Sequence, residues 1–89
     1  MKPIEFSSHA LEQMGFRGTA QQEVIEAIRG ESWLSAKLGR KESRKVYPYG
    51  KLWKNKPYEW KTVNPVFVEE ADKIVVVTVY VFYGRSDEK

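Results

Sequence analysis

Four residues of this sequence carry the functional groups that handling a phosphate requires: His9, Arg17, Thr78 and Tyr80. His9 is the only histidine and follows Ser7 and Ser8, both able helix N-caps. The partial positive charge of a helix start favours neutral imidazole, a usable general base; a histidine there can equally just decorate an exposed first turn. Arg17 stands between Gly15 and Gly18, where a guanidinium can hold a phosphate through two parallel hydrogen bonds or sit as an ordinary surface arginine. Thr78 and Tyr80 interrupt a valine run on one strand parity. Their hydroxyls either satisfy each other in a core or point to an open face and orient a phosphate. Arg40, Lys41, Arg44 and Lys45 cluster ahead of a strand, to neutralise phosphates or to guard an edge strand against aggregation.

The wider charge pattern points the same way. Lys37 to Lys61 contains nine basic residues against two acids, whereas the rest of the chain has six bases against ten acids. Tyr47, Tyr49, Trp53, Tyr58 and Trp60 lie in the same stretch. Cations interleaved with flat rings suit a single-stranded nucleic acid, with charges for phosphates and ring faces for bases. A solvated basic loop whose aromatics belong to the core is the plainer alternative.

Other chemistries are excluded by composition. The chain has no cysteine, hence no disulfide framework, no thiolate zinc site and no cysteine nucleophile. A single histidine makes a transition-metal cluster improbable, and no cofactor is expected. No phosphate-binding glycine loop, Ser/His/Asp triad or paired-carboxylate site is present, and Glu69, Glu70 and Asp72 read as a solvated hairpin end. The apolar run Ile74 to Phe82 is too short to span a bilayer as a helix. The N-terminus lacks the pattern of a secretory signal, so a cytoplasmic protein is expected.

The elements that must position these residues follow from periodicity. The 89 residues suit a single domain, 1–89, and 42% hydrophobic with 30% charged residues suits a folded chain. Ile4–Phe6 alternates but is too short for more than an edge strand or an extended lead-in. A helix starts near His9, with Ala10, Leu11 and Met14 as its apolar face, and ends at Gly15. Thr19 and Gln22 read as a capping box for a second helix running to about Arg29, with Val24, Ile25 and Ile28 inward and Glu23 and Glu26 in solvent. Beyond it, Trp33 to Leu38 reads as a weak strand, and Arg44 to Tyr49 as a strand that Pro48 pushes to an edge. Tyr58 to Glu69 is a strand in which Pro65 implies an edge, bulge or kink. Lys73 to Tyr83, apolar on both parities, predicts an interior strand buried on both faces. Residues 84–89 read as a frayed charged tail. The result is an α+β fold: two N-terminal helices packed on one face of an antiparallel sheet of three to four strands.

Ile4-Glu5-Phe6-Ser7-Ser8-His9-Ala10, Met14, Arg17-Gly18, Val24-Ile25-Glu26-Ala27-Ile28 and Val76-Val77-Thr78-Val79-Tyr80, in that order, resemble a prokaryotic family of small domains of unknown function. Such domains open with a His-Ala helix, continue through an Arg-Gly connector and close with a Val-Thr-Val-Tyr strand. They are grouped with RelE/ParE-like and BrnT-like toxins. The resemblance covers nearly the whole chain. It implies a metal-independent endoribonuclease acting on RNA and paired with an acidic antitoxin protein. It points to His9, Arg17 and Tyr80 as catalytic residues and to Thr78 as a phosphate contact. On that reading His9 is base or acid, Arg17 and Arg44 clamp the phosphate, Tyr80 donates or positions a proton, and Trp53, Tyr58 and Trp60 stack bases. The chain departs from the pattern at Gln13, where a second arginine is common, and at Thr19, where isoleucine is common. The alternative is a module that holds RNA or a protein without turnover.

Overall fold

Three short strands and two α-helices precede the long strands, and caps fix where the helices start and stop. The computed structural model describes residues 1–86. Ile4–Phe6 forms β1. Ser7 then caps helix α1, Ser8–Arg17, its hydroxyl accepting from the Ala10 amide. Gly15 does not end this helix. A glycine at an exposed helical position costs only about 1 kcal/mol, and the left-handed turn that a helix end requires falls at Gly18, with φ 78°. Arg17 is therefore the last helical residue and not part of a connector.

Helix α2 spans Gln21–Gly30. Its cap is shifted one residue from the Thr19/Gln22 box. Ala20 is the N-cap, and Glu23 Oε1 accepts from the Ala20 amide and from the Thr19 hydroxyl. With Ala20 as N-cap, Glu23 stands at the third helical position, where a side chain folds back to the N-cap amide, and Gln22 stands one position too early.

The sheet has six strands, where three or four are expected from the sequence. The weak strand expected at Trp33 to Leu38 shrinks to the two-residue β2, Leu34–Ser35, and the additions are β1 and the two-residue β3, Lys41–Glu42, too short to leave a periodic signal. The remaining strands are β4, Lys45–Trp53, β5, Lys56–Glu69, and β6, Ile74–Gly84. Their order is β1-β6-β5-β3-β2, with β4 also pairing β5. The sheet is mixed, not purely antiparallel, because β1 runs parallel to β6. The β4–β5 hairpin turns at Lys54 and Asn55, both at positive φ, as a tight two-residue loop requires.

Pro48 lies on the edge strand β4, beside a register shift. Pro65 lies on β5, which is interior. It falls where the β4 pairing ends at Val63 and the β3 pairing begins at Val66, so its missing N–H breaks neither ladder, and its carbonyl accepts from the Ser43 amide. Strand β6 is flanked by β1 and β5. Only one of its faces is buried. Ile74, Val76 and Val79 join Val63 and Phe67 of β5, Ala10 and Met14 of α1, and Val24 and Ile28 of α2 in the core. On its other face Tyr80 is 43% and Phe82 54% exposed. A register shift against β5 at Val66/Phe67 switches the alternation near Val77, so the core face takes Ile74 and Val76 before it and Val79 after it, and the open face takes Thr78, Tyr80 and Phe82. Gly84 belongs to β6, and Ser86 hydrogen-bonds Glu59 through its amide and hydroxyl. Residues 87–89 of the expected tail lie outside the described residues. Among the described residues no helix is long and apolar enough to cross a membrane.

Candidate nucleic-acid interface

Antiparallel register fixes which side chains share a face. Thr78 pairs with Val66, Tyr80 with Asn64 and Phe82 with Thr62, and Thr62 pairs in turn with Val46 of β4. These residues form one surface, here the Tyr80 face. Trp60, opposite Pro48 and Gly84, extends it.

Helix α1 runs along the half of β6 that β1 leaves unpaired. Ser7 donates to the carbonyls of Val76 and Val77, through its amide and its hydroxyl, and Arg17 Nη1 donates to the Val79 carbonyl at 2.7 Å. This places the two ends of the helix against successive positions of the strand. His9 Nε2 lies 3.5 Å from Thr78 Oγ1, the outer limit of a hydrogen bond. The Arg17 guanidinium carbon sits 5.0 Å from the centre of the Tyr80 ring, within cation–π range. Thr78 and Tyr80 are about 7 Å apart along the strand.

Thr78 and Tyr80 also form one wall of a groove of about 390 Å³ whose other wall includes Lys37, Leu38 and Arg40. Leu38 takes φ 61° in the turn Lys37–Gly39 and is 86% exposed. Glu42 also lines the groove, with the Arg44 guanidinium 3.5 Å from its carboxylate. Asn64 beneath it donates to the Ser43 carbonyl and to Glu42.

Strand alternation divides the expected basic surface. Arg40 stands at the groove with Thr78 and Tyr80, whereas Lys41 pairs with Phe67 on the opposite parity. Lys45, also on the Val63 parity, lies over the Tyr47 ring beside α2. Arg44 is engaged with Glu42. The aromatics divide likewise. Trp53 stacks on Tyr83 at 4.9 Å and Tyr58 touches Tyr83 at 5.5 Å, so both join a ring cluster with Tyr49. Trp60 alone of the three reaches the Tyr80 face. Phe82 escaped the sequence analysis, because inside a run of valines it reads as core; only its parity with Thr78 and Tyr80 marks it.

The ring cluster braces the end of α1. The Tyr83 hydroxyl donates to the Arg17 carbonyl at 2.7 Å, and burial pushes its ionisation up to about 12. A Cβ on Gly18 would come within 2.6 Å of the Trp53 ring, so this glycine is required for both its φ and the close approach. Lys61, counted among the bases, is buried. Its ammonium donates to the Gly18 carbonyl and to Glu23 Oε1, each at 2.9 Å. Glu23 is thus a hub and not a solvent-facing residue.

Burial raises the affinity of the Glu23 carboxyl for its proton. Hydrogen bonds from Lys61, the Ala20 amide and Thr19 outweigh that and hold it below its ordinary value near 4.5. The sign follows: this contribution to stability is full above the ordinary carboxylate value and is lost as pH falls through the lower folded value. Glu23→Gln is expected to flatten the acid limb of a urea-midpoint-against-pH curve; an unchanged limb would show that other carboxylates govern acid unfolding. Comparison with known proteins gives no match: no family model, no curated protein and no solved structure corresponds to this chain.

Proposed function

We propose that this chain binds single-stranded RNA across the Tyr80 face and cleaves it as a metal-independent endoribonuclease, the activity implied by its resemblance to RelE/ParE-like and BrnT-like toxins. In this reading the helices close one face of the sheet and leave the other to the RNA. The observation that carries it is the convergence of His9, Arg17, Thr78 and Tyr80 on one strip of β6, with His9 meeting Thr78 across 69 residues of sequence. RNA supplies its own nucleophile, the 2′-hydroxyl. The protein must take that proton, steady the charge that builds on the phosphorus oxygens and protonate the leaving 5′-oxygen. His9 serves as base or acid for one of these transfers, and the Tyr80 hydroxyl gives or positions the proton of the other. Arg17 keeps further N–H donors beyond the one given to Val79 and supplies positive charge. Tyr80 and Thr78 orient the phosphate with their hydroxyls. Lys37 and Arg40 lead the strand along the groove.

One observation favours a second reading. Arg17 is already tied to the Val79 carbonyl, which suits a residue that positions more than one that clamps a moving charge. A module that holds RNA without turnover fits that arrangement. Incubation of a labelled single-stranded RNA with the protein in EDTA separates the two. Products ending in a 2′,3′-cyclic phosphate support the enzyme, retention of intact RNA supports the module, and neither cleavage nor binding overturns both. An acidic antitoxin as the true occupant of this face would then be the remaining member of the set.

The electrostatic part has its own check. Removing Lys37 and Arg40 together should lower the slope of log affinity against log salt by roughly 1.4, since each neutralised phosphate of a single strand releases about 0.7 counterion. Removing Arg44 and Lys45 should change it little, because one is paired with Glu42 and the other lies beside α2. The reverse result would place the phosphate path along β4 and away from the groove.

A further inference from the structure

The Tyr80 and Phe82 rings stand two residues apart on the same face of β6, with centroids 6.5 Å apart and planes 19° from parallel. Side chains on a strand rise roughly perpendicular to the sheet, and successive residues on one face are separated by about 6.8 Å. Bases stack at about 3.4 Å, so a base with a ring on each side needs about 6.8 Å, the same length. Both rings are substantially exposed, and both lie on the surface that Arg17 and the groove cations border.

We propose that Tyr80 and Phe82 form a slot that holds one unpaired nucleobase, sandwiched between the two rings. The Arg17 guanidinium over the Tyr80 ring places positive charge beside the slot, where the phosphate attached to that base must pass. The slot deepens the reading of the Tyr80 face as an RNA surface and rests on it. It assigns the substrate class: the nucleotide next to the bound phosphate must be single-stranded, because a base held in a duplex stack cannot enter. Selection among the four bases by stacking alone is weak, since every base has a π-face. Trp60 across β5 offers a further ring to a neighbouring base, but none of its contacts makes a second slot.

The test uses 2′-O-methyl oligoribonucleotides, which lack the nucleophile, so that binding is read without cleavage. Phe82→Ala is expected to weaken binding of a single-stranded oligomer roughly 10- to 100-fold. Phe82→Leu should do nearly the same, since it keeps apolar bulk but no flat face, and Phe82→Trp should restore affinity. Phe82 is more than half exposed, so an unchanged melting temperature checks that the variants fold. One abasic position in the oligomer should weaken wild-type binding by a similar factor and have no further effect on Phe82→Ala. Wild-type affinity in Phe82→Ala with the salt slope intact would overturn the slot and leave the phosphate path standing. Independent, multiplying effects of the abasic site and of Phe82→Ala would overturn it too. A wild-type protein that binds no oligomer would refute both the slot and the RNA reading beneath it.

Discussion

Replacing His9 with alanine is expected to slow RNA cleavage by about 10²–10⁴-fold, the usual cost of removing a general acid or base, while affinity and melting temperature stay near wild type. The asymmetry follows from where the side chain stands. His9 is exposed on the first turn of α1, and its contact with Thr78, at 3.5 Å, is too long to stabilise the fold much. Nothing in the core depends on it: the inward residues of that helix are Ala10 and Met14. Its place on the strip shared with Thr78, Arg17 and Tyr80 is what the proposed function relies on. Single-turnover cleavage of a labelled RNA, with a melting curve on the same sample, checks this. A variant that cleaves normally removes His9 from the chemistry. One that melts early makes it a structural residue, and its lost activity then says nothing about proton transfer.

Phe67→Ala should cost about 3–5 kcal/mol, the range for emptying a fully buried aromatic site. Phe67 is 0% exposed and is the largest of the fully buried side chains. Trp33 packs edge-on against it at 4.9 Å and is itself held by its indole N–H on the Ile28 carbonyl. The cavity would therefore open between β5 and the segment after α2, where two-residue strands have little pairing to resist it. Domains of this size are stable by only about 5–15 kcal/mol, so the variant should unfold at a much lower urea midpoint with a similar slope. A loss below about 1 kcal/mol would mean the site collapses freely and that the core is centred elsewhere.

The sequence was most legible where a local rule acts alone. Ser7 caps a helix because its hydroxyl reaches Ala10 whatever the rest of the chain does. Val24 and Ile28 face inward by periodicity, and the valine-rich stretch is an interior strand as its composition implies. Legibility failed where a residue's role depends on its neighbour in space. Lys61 reads as one more cation until Glu23 and the Gly18 carbonyl are brought to it. Arg40 and Lys41 look equivalent until alternation sends one to the groove and the other to the Phe67 parity. Phe82 looks buried because the run around it is apolar, whereas the open face of this strand, with Tyr80 and Phe82 exposed, is apolar too. The four proposed phosphate-handling residues could be named by type, but only the register of β5 and β6 and the course of α1 bring them to one strip.

The unpaired half of β6 has a consequence for how this protein behaves in company. A strand edge with free carbonyls is a template for another chain, and apolar edges seed aggregates. Here β1 pairs only as far as Val76, and Ser7 and Arg17 take the carbonyls of Val77 and Val79. Two side chains thus do the work of a missing strand. The arginine that the proposed function assigns to the phosphate is also a latch on the edge, so its removal is expected to open a sticky seam beside the aromatic surface. Arg17→Ala is therefore expected to lower colloidal stability whether or not the protein ever meets a nucleic acid.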